Sequence, residues 1–224
     1  MSSRRLVPAL LKIFKNKDKG VVIKTGWILI FASVLIWSGI HPKDQPTWFL
    51  EVFPALIGLV VLALTYHSFR LTPLLYVLIL GHSILLMVGG HYTYAEVPLF
   101  DWLTEVFDWS RNNYDKLGHL VQGFVPAMIA REIIIRKRII QGSYWQGFFI
   151  VSFCLALSAL YELVEWWVAL FSEEAAEAFL GTQGYIWDTQ SDMMYALIGS
   201  LLALVLLSRW HNSQLAQMKP DEEG

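Results

Sequence analysis

Between Asp192 and Arg209 the chain runs "MMYALIGSLLALVLLS" without a charged residue, yet two aspartates, Asp188 and Asp192, stand at the head of the run. A helix of a water-soluble domain keeps a polar face along its length, so an unbroken apolar stretch of this kind belongs in a lipid bilayer. The hydrocarbon layer is about 30 Å thick and takes about 20 helical residues to cross. The sequence offers six such stretches, and the expected spans are 23–40, 48–66, 72–90, 119–136, 146–170 and 190–208. The expected fold is therefore all-α, a polytopic membrane bundle of about six transmembrane helices. It occupies residues 23–208, after a basic amino-terminal segment (1–22) and before a tail (209–224). The connections are too short for a second soluble domain.

The span at 119–136 is the weakest, because it holds Gln122, Pro126 and the adjacent pair Arg131 and Glu132. Pro126 removes one helical hydrogen bond and can kink the span. Omitting it would put the two termini on opposite sides and strand the basic run Arg136, Lys137 and Arg138, so it is retained. Arg131 and Glu132 are expected to pair locally or snorkel.

Charge sets the orientation. Arg4, Arg5, Lys12, Lys15, Lys17, Lys19 and Lys24 precede or begin the first span, and the run at 136–138 separates the fourth from the fifth. By the positive-inside rule both termini are expected in the cytoplasm of a bacterial cell, with loops 41–47, 91–118 and 171–189 facing outward. The first span lacks a convincing cleavage pattern and is read as retained. A composition of 55% hydrophobic residues with a formal charge of only −2 excludes a disordered chain and a nucleic-acid binder. Cys154 is the one cysteine, so no intramolecular disulfide is available, and its apolar surroundings mark a packing residue.

Three short segments carry the polar chemistry to one membrane level. In "RNNYDKLGHLVQGF", a helix starting near Asn113 puts Asp115 and His119 on one face, with Gln122 a turn deeper. That pair can ligate a divalent metal or act as acid and base. It can equally favour the helix amino end and make an ordinary structural hydrogen bond. In "ALSALYELVEWW", Glu162 and Glu165 lie one turn apart beside Trp166 and Trp167, which suit a headgroup interface. Glutamates at this depth need protons, partners, water or a cation, although an interfacial position would also serve Glu165. In "WDTQSDMM", Thr189 can cap the last helix and Asp192 can complete a capping box, an account that leaves Asp188 in want of a partner. His82 falls inside the third span, where an ionisable residue points to function. His91, Tyr92 and Tyr94 lie just beyond it, either lining an entrance or, for the tyrosines, anchoring at the interface.

The stretches "YDKLGHLVQGFVPAMIAREI", "ALSALYELVEWW" and "GTQGYIWDTQSDMMYALIGS" resemble the YjdF-like bacterial inner-membrane proteins in order and spacing over roughly residues 20–208. That resemblance implies a multi-pass protein of the inner membrane and names no reaction. A second likeness is to VanZ-like membrane proteins, some associated with glycopeptide-antibiotic resistance. It rests on Asp115, Lys116 and His119, then Glu162 and Glu165, then Asp192 with Gly199. The present chain has Tyr195 or Ala196 where those proteins often carry an asparagine, and Glu165 where they commonly carry glutamine.

The expected function is a membrane-embedded hydrolase or lipid-modifying enzyme at the outer leaflet, acting on a membrane lipid or a lipid-linked envelope substrate. Asp115, His119, Glu162, Glu165, Asp188 and Asp192 are the candidate metal ligands, for zinc, magnesium or manganese. His82, His119 and Glu162 are the candidate catalytic groups, moving protons or positioning water. No serine has an elbow context and Cys154 is packed, which disfavours covalent catalysis. The alternatives are a small proton-coupled transporter alternating Glu162 and His82, or a non-enzymatic envelope assembly or stress-interaction protein whose polar cluster is structural.

Overall fold

A computed structural model describes residues 6–171 and 182–218, with side chains over 21–170 and 182–218. In chain order the elements are α1 (Leu6–Gly39), α2 (Gln45–Thr65), α3 (Pro73–Tyr92), a 3-10 turn (Tyr94–Glu96), α4 (Pro98–Phe107), α5 (Tyr114–Arg136), α6 (Ser143–Phe171) and α7 (Asp188–Leu215). The helix starts follow local chemistry. Asp44 accepts a 2.7 Å hydrogen bond from the Thr47 backbone N–H ahead of α2, and proline sits in the first positions of α2, α3 and α4, where its missing N–H costs nothing.

Among the described residues five helices are long and apolar enough to cross a membrane: α1 over Val21–Gly39, then α2, α3, α6 and α7. The 23 residues of α5 would extend about 34 Å, enough to span as well. Its composition is more polar because it packs centrally, against α3, α6 and especially α7. Side chains that would be costly against lipid therefore meet other helices. Pro126 lies within α5 without ending it.

The closest approach in the bundle is between α5 and α7. A Cβ at Gly123 would collide with the carbonyl oxygen of Ala196, and a Cβ at Gly199 would collide with the carbonyl oxygen of Leu120. The two glycines thus bring backbone against backbone, as small residues do between membrane helices. Around this crossing Met128, Ala127, Ile150, Cys154 and Ala203 form one apolar core, which confirms Cys154 as a packing residue. A second core joins Phe31, Val52, Ala55 and Met87 from α1, α2 and α3.

Glu132 corrects the expectation of snorkelling. It is fully buried and accepts from the Thr72 backbone N–H at 3.0 Å, the Thr72 hydroxyl at 2.7 Å and Arg136 Nη1 at 2.9 Å. His211 Nε2 lies 2.9 Å from the same carboxylate, and His211 Nδ1 lies 2.7 Å from Arg131 Nη1. Guanidinium can only donate, so Nδ1 accepts and Nε2–H donates to Glu132. Arg131 also donates to Asn212 Oδ1 at 2.6 Å. The local Arg136 pair is present, but most of the donors come from the start of α3 and the end of α7.

The connection between α3 and α5 holds a helix that no sequence argument anticipated. In α4, Thr104 and Asp101 turn toward the protein, where Thr104 donates to the Arg111 carbonyl at 3.0 Å and Asp101 accepts from Asn112 at 2.7 Å. Leu99, Trp102 and Val106 form an exposed apolar stripe on the other side, joined by Phe107. This is the pattern of a helix lying along a membrane surface.

Replacing Gly199 by leucine is expected to destabilise the fold by about 3 kcal/mol, the top of the overpacking range, because a backbone carbonyl cannot swing aside. Gly147→Ala meets open space and serves as the neutral comparison in a thermal unfolding series. Glu132→Ala, which deprives the buried Thr72 and His211 donors of their carboxylate, is expected to cost about 3–5 kcal/mol in the same measurement.

Candidate metal centre

The polar groups of four helices, α2, α5, α6 and α7, meet at the end of the bundle where α3 finishes and α5 and α7 begin. With Asn113 as the residue before the helix, α5 starts at Tyr114 and carries Asp115 and His119 on one face as anticipated. The last helix departs from expectation. It begins at Asp188, one residue before the anticipated cap, and no side chain caps it. Two contacts favour the earlier start: Arg111 Nη1 pairs with the Asp188 carboxylate, and the Trp187 carbonyl accepts from the Ser191 N–H at 2.9 Å. Asp192 is thereby released from the capping role and turned into the bundle, where it is 2% exposed.

His119 is the hub. Its Nδ1 lies 2.9 Å from Gln122 Oε1, and its Nε2 lies 3.5 Å from Asp115 Oδ1 and 3.6 Å from Glu162 Oε1. An amide oxygen only accepts, so Nδ1–H donates to Gln122 and the Nε2 lone pair faces two carboxylates. Such an arrangement is repulsive unless a proton or a cation lies between the groups. Ligand atoms bound at about 2.0–2.2 Å to one small divalent ion stand about 3–3.5 Å apart, close to the spacings here. One ligand atom from each of Asp115, His119 and Asp192 falls within 4.8 Å of the others, and all three residues are buried. Asp192 Oδ1 and Glu162 Oε1 are buried without a hydrogen-bond partner among the described residues. The donor set, one imidazole with carboxylates, fits a divalent ion, and Gln122 supplies the outer hydrogen bond that fixes a ligating histidine.

The remaining carboxylates surround this triangle. Glu165 is buried and lines one cavity with Glu51 and Asp115. Asp188 is held by Arg111, whose Nη2 also lies 3.9 Å from Asp115. Two residues of this site escaped the sequence reading. Glu51 of α2 is 4% exposed and accepts a 3.0 Å hydrogen bond from the Tyr161 hydroxyl. Its signal was a single carboxylate inside the apolar "WFLEVFPALIGLVV". Arg111, 6% exposed, was visible only as a base in an otherwise acidic connection.

His82 lines a cavity of about 510 Å³ together with Glu51, Asp115, His119 and Glu165, but makes no described hydrogen bond to them. It stands beside the triangle rather than in it. Tyr94 is buried rather than an interface anchor, its ring set against Gly89 and Gly118, which leave no room for a Cβ. Burial pushes its phenol well above the usual range and keeps it neutral. His91 Nδ1 lies 3.0 Å from the Ser38 carbonyl oxygen, a structural tie to α1.

Residues 23–213 match the family model described as "Predicted membrane protein (DUF2238)". The chain belongs to this family. It is 48% identical over 197 residues to the inner membrane protein YjdF of Escherichia coli (strain K12), covering 88% of this chain and 94% of that protein. No solved structure matches it. The family assignment, that relative and the long apolar helices together make this DUF2238 chain a multi-pass inner-membrane protein. Within it, Arg111→Ala removes the cation shared by Asp188 and Asp115 and is expected to cost about 3–5 kcal/mol. Thermal unfolding in detergent reads that loss; Arg111→Lys, lacking the guanidinium fork, should recover only part of it.

Proposed function

We propose that this protein is a membrane-embedded, metal-dependent hydrolase or lipid-modifying enzyme that works at the outer leaflet with both termini in the cytoplasm. The observation that carries the reading is the buried triangle of Asp115, His119 and Asp192, where Asp192 Oδ1 and the neighbouring Glu162 Oε1 accept no hydrogen bond from the described residues. Six acidic side chains, Glu51, Asp115, Glu162, Glu165, Asp188 and Asp192, share this end with Arg111 and His119. Buried charge in such excess calls for protons or a cation. The basic residues at 136–138 follow the opposite end of α5, which supports the outward orientation of the cluster.

Asp115, His119 and Asp192 would hold zinc, magnesium or manganese. When bound, such an ion polarises a carbonyl or phosphoryl oxygen and makes a bound water acidic enough to attack near neutral pH. Glu162, whose Oε1 lies 3.6 Å from His119 Nε2, would take up a proton from an attacking water. Gln122 holds the imidazole in the tautomer that leaves Nε2 open. Glu165 and Glu51 keep the surroundings polar where the reacting group of a lipid or a lipid-linked envelope substrate would enter. A transporter is less well supported, since both the packed core and most of the cavity wall between this cluster and Glu132 are apolar.

Elemental mass spectrometry on protein purified without chelators, in divalent-metal-supplemented buffer, tests the reading. About one ion per chain is expected by the ligand geometry, with loss in the Asp115→Ala, His119→Ala double variant at matched folding. Gln122→Ala should bind the same ion about 10–100-fold more weakly. Wild-type protein free of metal under these conditions would overturn the proposal.

A further inference from the structure

The cavity beside the metal triangle has a chemical gradient along its length. At one end stand Glu51, Asp115, His119, Tyr161 and Glu165. Beyond them the wall is made mostly by apolar side chains such as Ile57 and Val61 of α2, Ile79 of α3, Ile129 of α5 and Leu157 of α6, with His82 and Ser83 of α3 among them. The stretch of α2 that lines it runs from Glu51 to Thr65, about 21 Å at the helical rise. The volume of about 510 Å³ lies in the range of ligand sites.

The cavity is also open sideways. Ile57 and Val61 are 48% and 50% exposed and Ile133 is 38% exposed, although all three line it. On a helix that spans a membrane, such an opening faces hydrocarbon. One leaflet is an acyl chain deep, about 15 Å, so a groove of this length accepts one chain running inward from the headgroup level. Asp115 and His119 belong both to this wall and to the triangle, and next to them Glu162 Oε1 and Asp192 Oδ1, outside the cavity lining, accept no hydrogen bond from the described residues.

We infer that this cavity binds one acyl chain of a membrane glycerophospholipid, with the phosphate-bearing head at the cluster of Asp115, His119 and Asp192. The assignment of the head rests on the metal-centre reading, because a phosphate needs a cation among these carboxylates; the assignment of the chain rests on the groove alone. Gly58 provides the handle. It lines the cavity, and a Cβ built there meets nothing within 4 Å, so a large side chain would enter the groove without striking backbone. Gly26 of α1 is equally unobstructed and lies outside the cavity lining.

The test uses the full chain in vesicles of phosphatidylethanolamine and phosphatidylglycerol, doped with phosphatidylethanolamine carrying a diazirine near the end of one acyl chain. After irradiation, peptide mass spectrometry should find adducts at Val61 and Ile129 enriched several-fold over the lipid-facing Ile30 and Ile36 of α1. Gly58→Trp should reduce the groove adducts several-fold with unchanged metal content and unfolding temperature, and Gly26→Trp should leave them as in wild type. Gly58→Leu gives the same readout if the tryptophan variant does not fold. Even labelling of all the helices, or equal effects of the Gly58 and Gly26 variants, would overturn the inference. So would preferential labelling by a photoactivatable polyprenyl phosphate. Groove labelling in a metal-free protein would remove the metal centre and leave the chain site standing, and the reverse result would do the opposite.

Discussion

The contact between α5 and α7 at Gly123 and Gly199 is the constraint on which the rest of the structure depends. Helices normally pack 8–10 Å apart because side chains intervene. Here a carbonyl oxygen of each helix occupies the place where the other's Cβ would be. That approach brings Asp192, on the first turns of α7, against Asp115 and His119 on the first turns of α5. It also sets Glu132 against His211 toward the other ends of the same helices. One crossing thus fixes two polar centres, with an apolar core around it. The family relationship covers this whole framework, since residues 23–213 include both helices.

The two centres differ in how well they are satisfied. The Glu132 carboxylate has donors from Thr72, Arg136 and His211, a neutralised and hydrogen-bonded arrangement of the kind that buried charge requires. At the His119 end the balance is reversed. Carboxylates outnumber cationic partners, and two of their oxygens accept no hydrogen bond from the described residues. Structural polar clusters in membrane proteins resemble the first arrangement, whereas sites that receive a ligand, a proton or an ion resemble the second. The contrast within one molecule is a stronger argument for function than either centre viewed alone.

Much of the architecture could be read from hydropathy, because a bilayer leaves helices as the economical way to satisfy the backbone. The spacing of Asp115 and His119 was equally legible, since both lie in one helix and i,i+4 neighbours need no knowledge of tertiary contacts. The residues that were misjudged depend on other segments. Thr189 and Asp192 form a plausible capping box in isolation, and only the Arg111 contact to Asp188 and the neighbouring α5 show why the helix starts earlier. Glu51 reads as an isolated defect in an apolar span until Tyr161 appears beside it. Arg131 and Glu132 look like a simple pair of adjacent opposite charges, yet they are joined through α7, each meeting a different ring nitrogen of His211. The amphipathic α4 was hidden by its brevity, since ten residues are too few to register as a span.

The Glu132 arrangement bears on the order in which the protein can be assembled. Thr72 is already made when α5 leaves the ribosome, but His211 follows 79 residues later. Until α7 arrives, Glu132 lacks the imidazole, Arg131 lacks both of its α7 acceptors, and the glycine face of α5 has nothing to pack against. The central helix is therefore the one least able to rest in lipid by itself. Its stable residence in the membrane is a late event, completed by the final hairpin rather than by its own hydrophobicity.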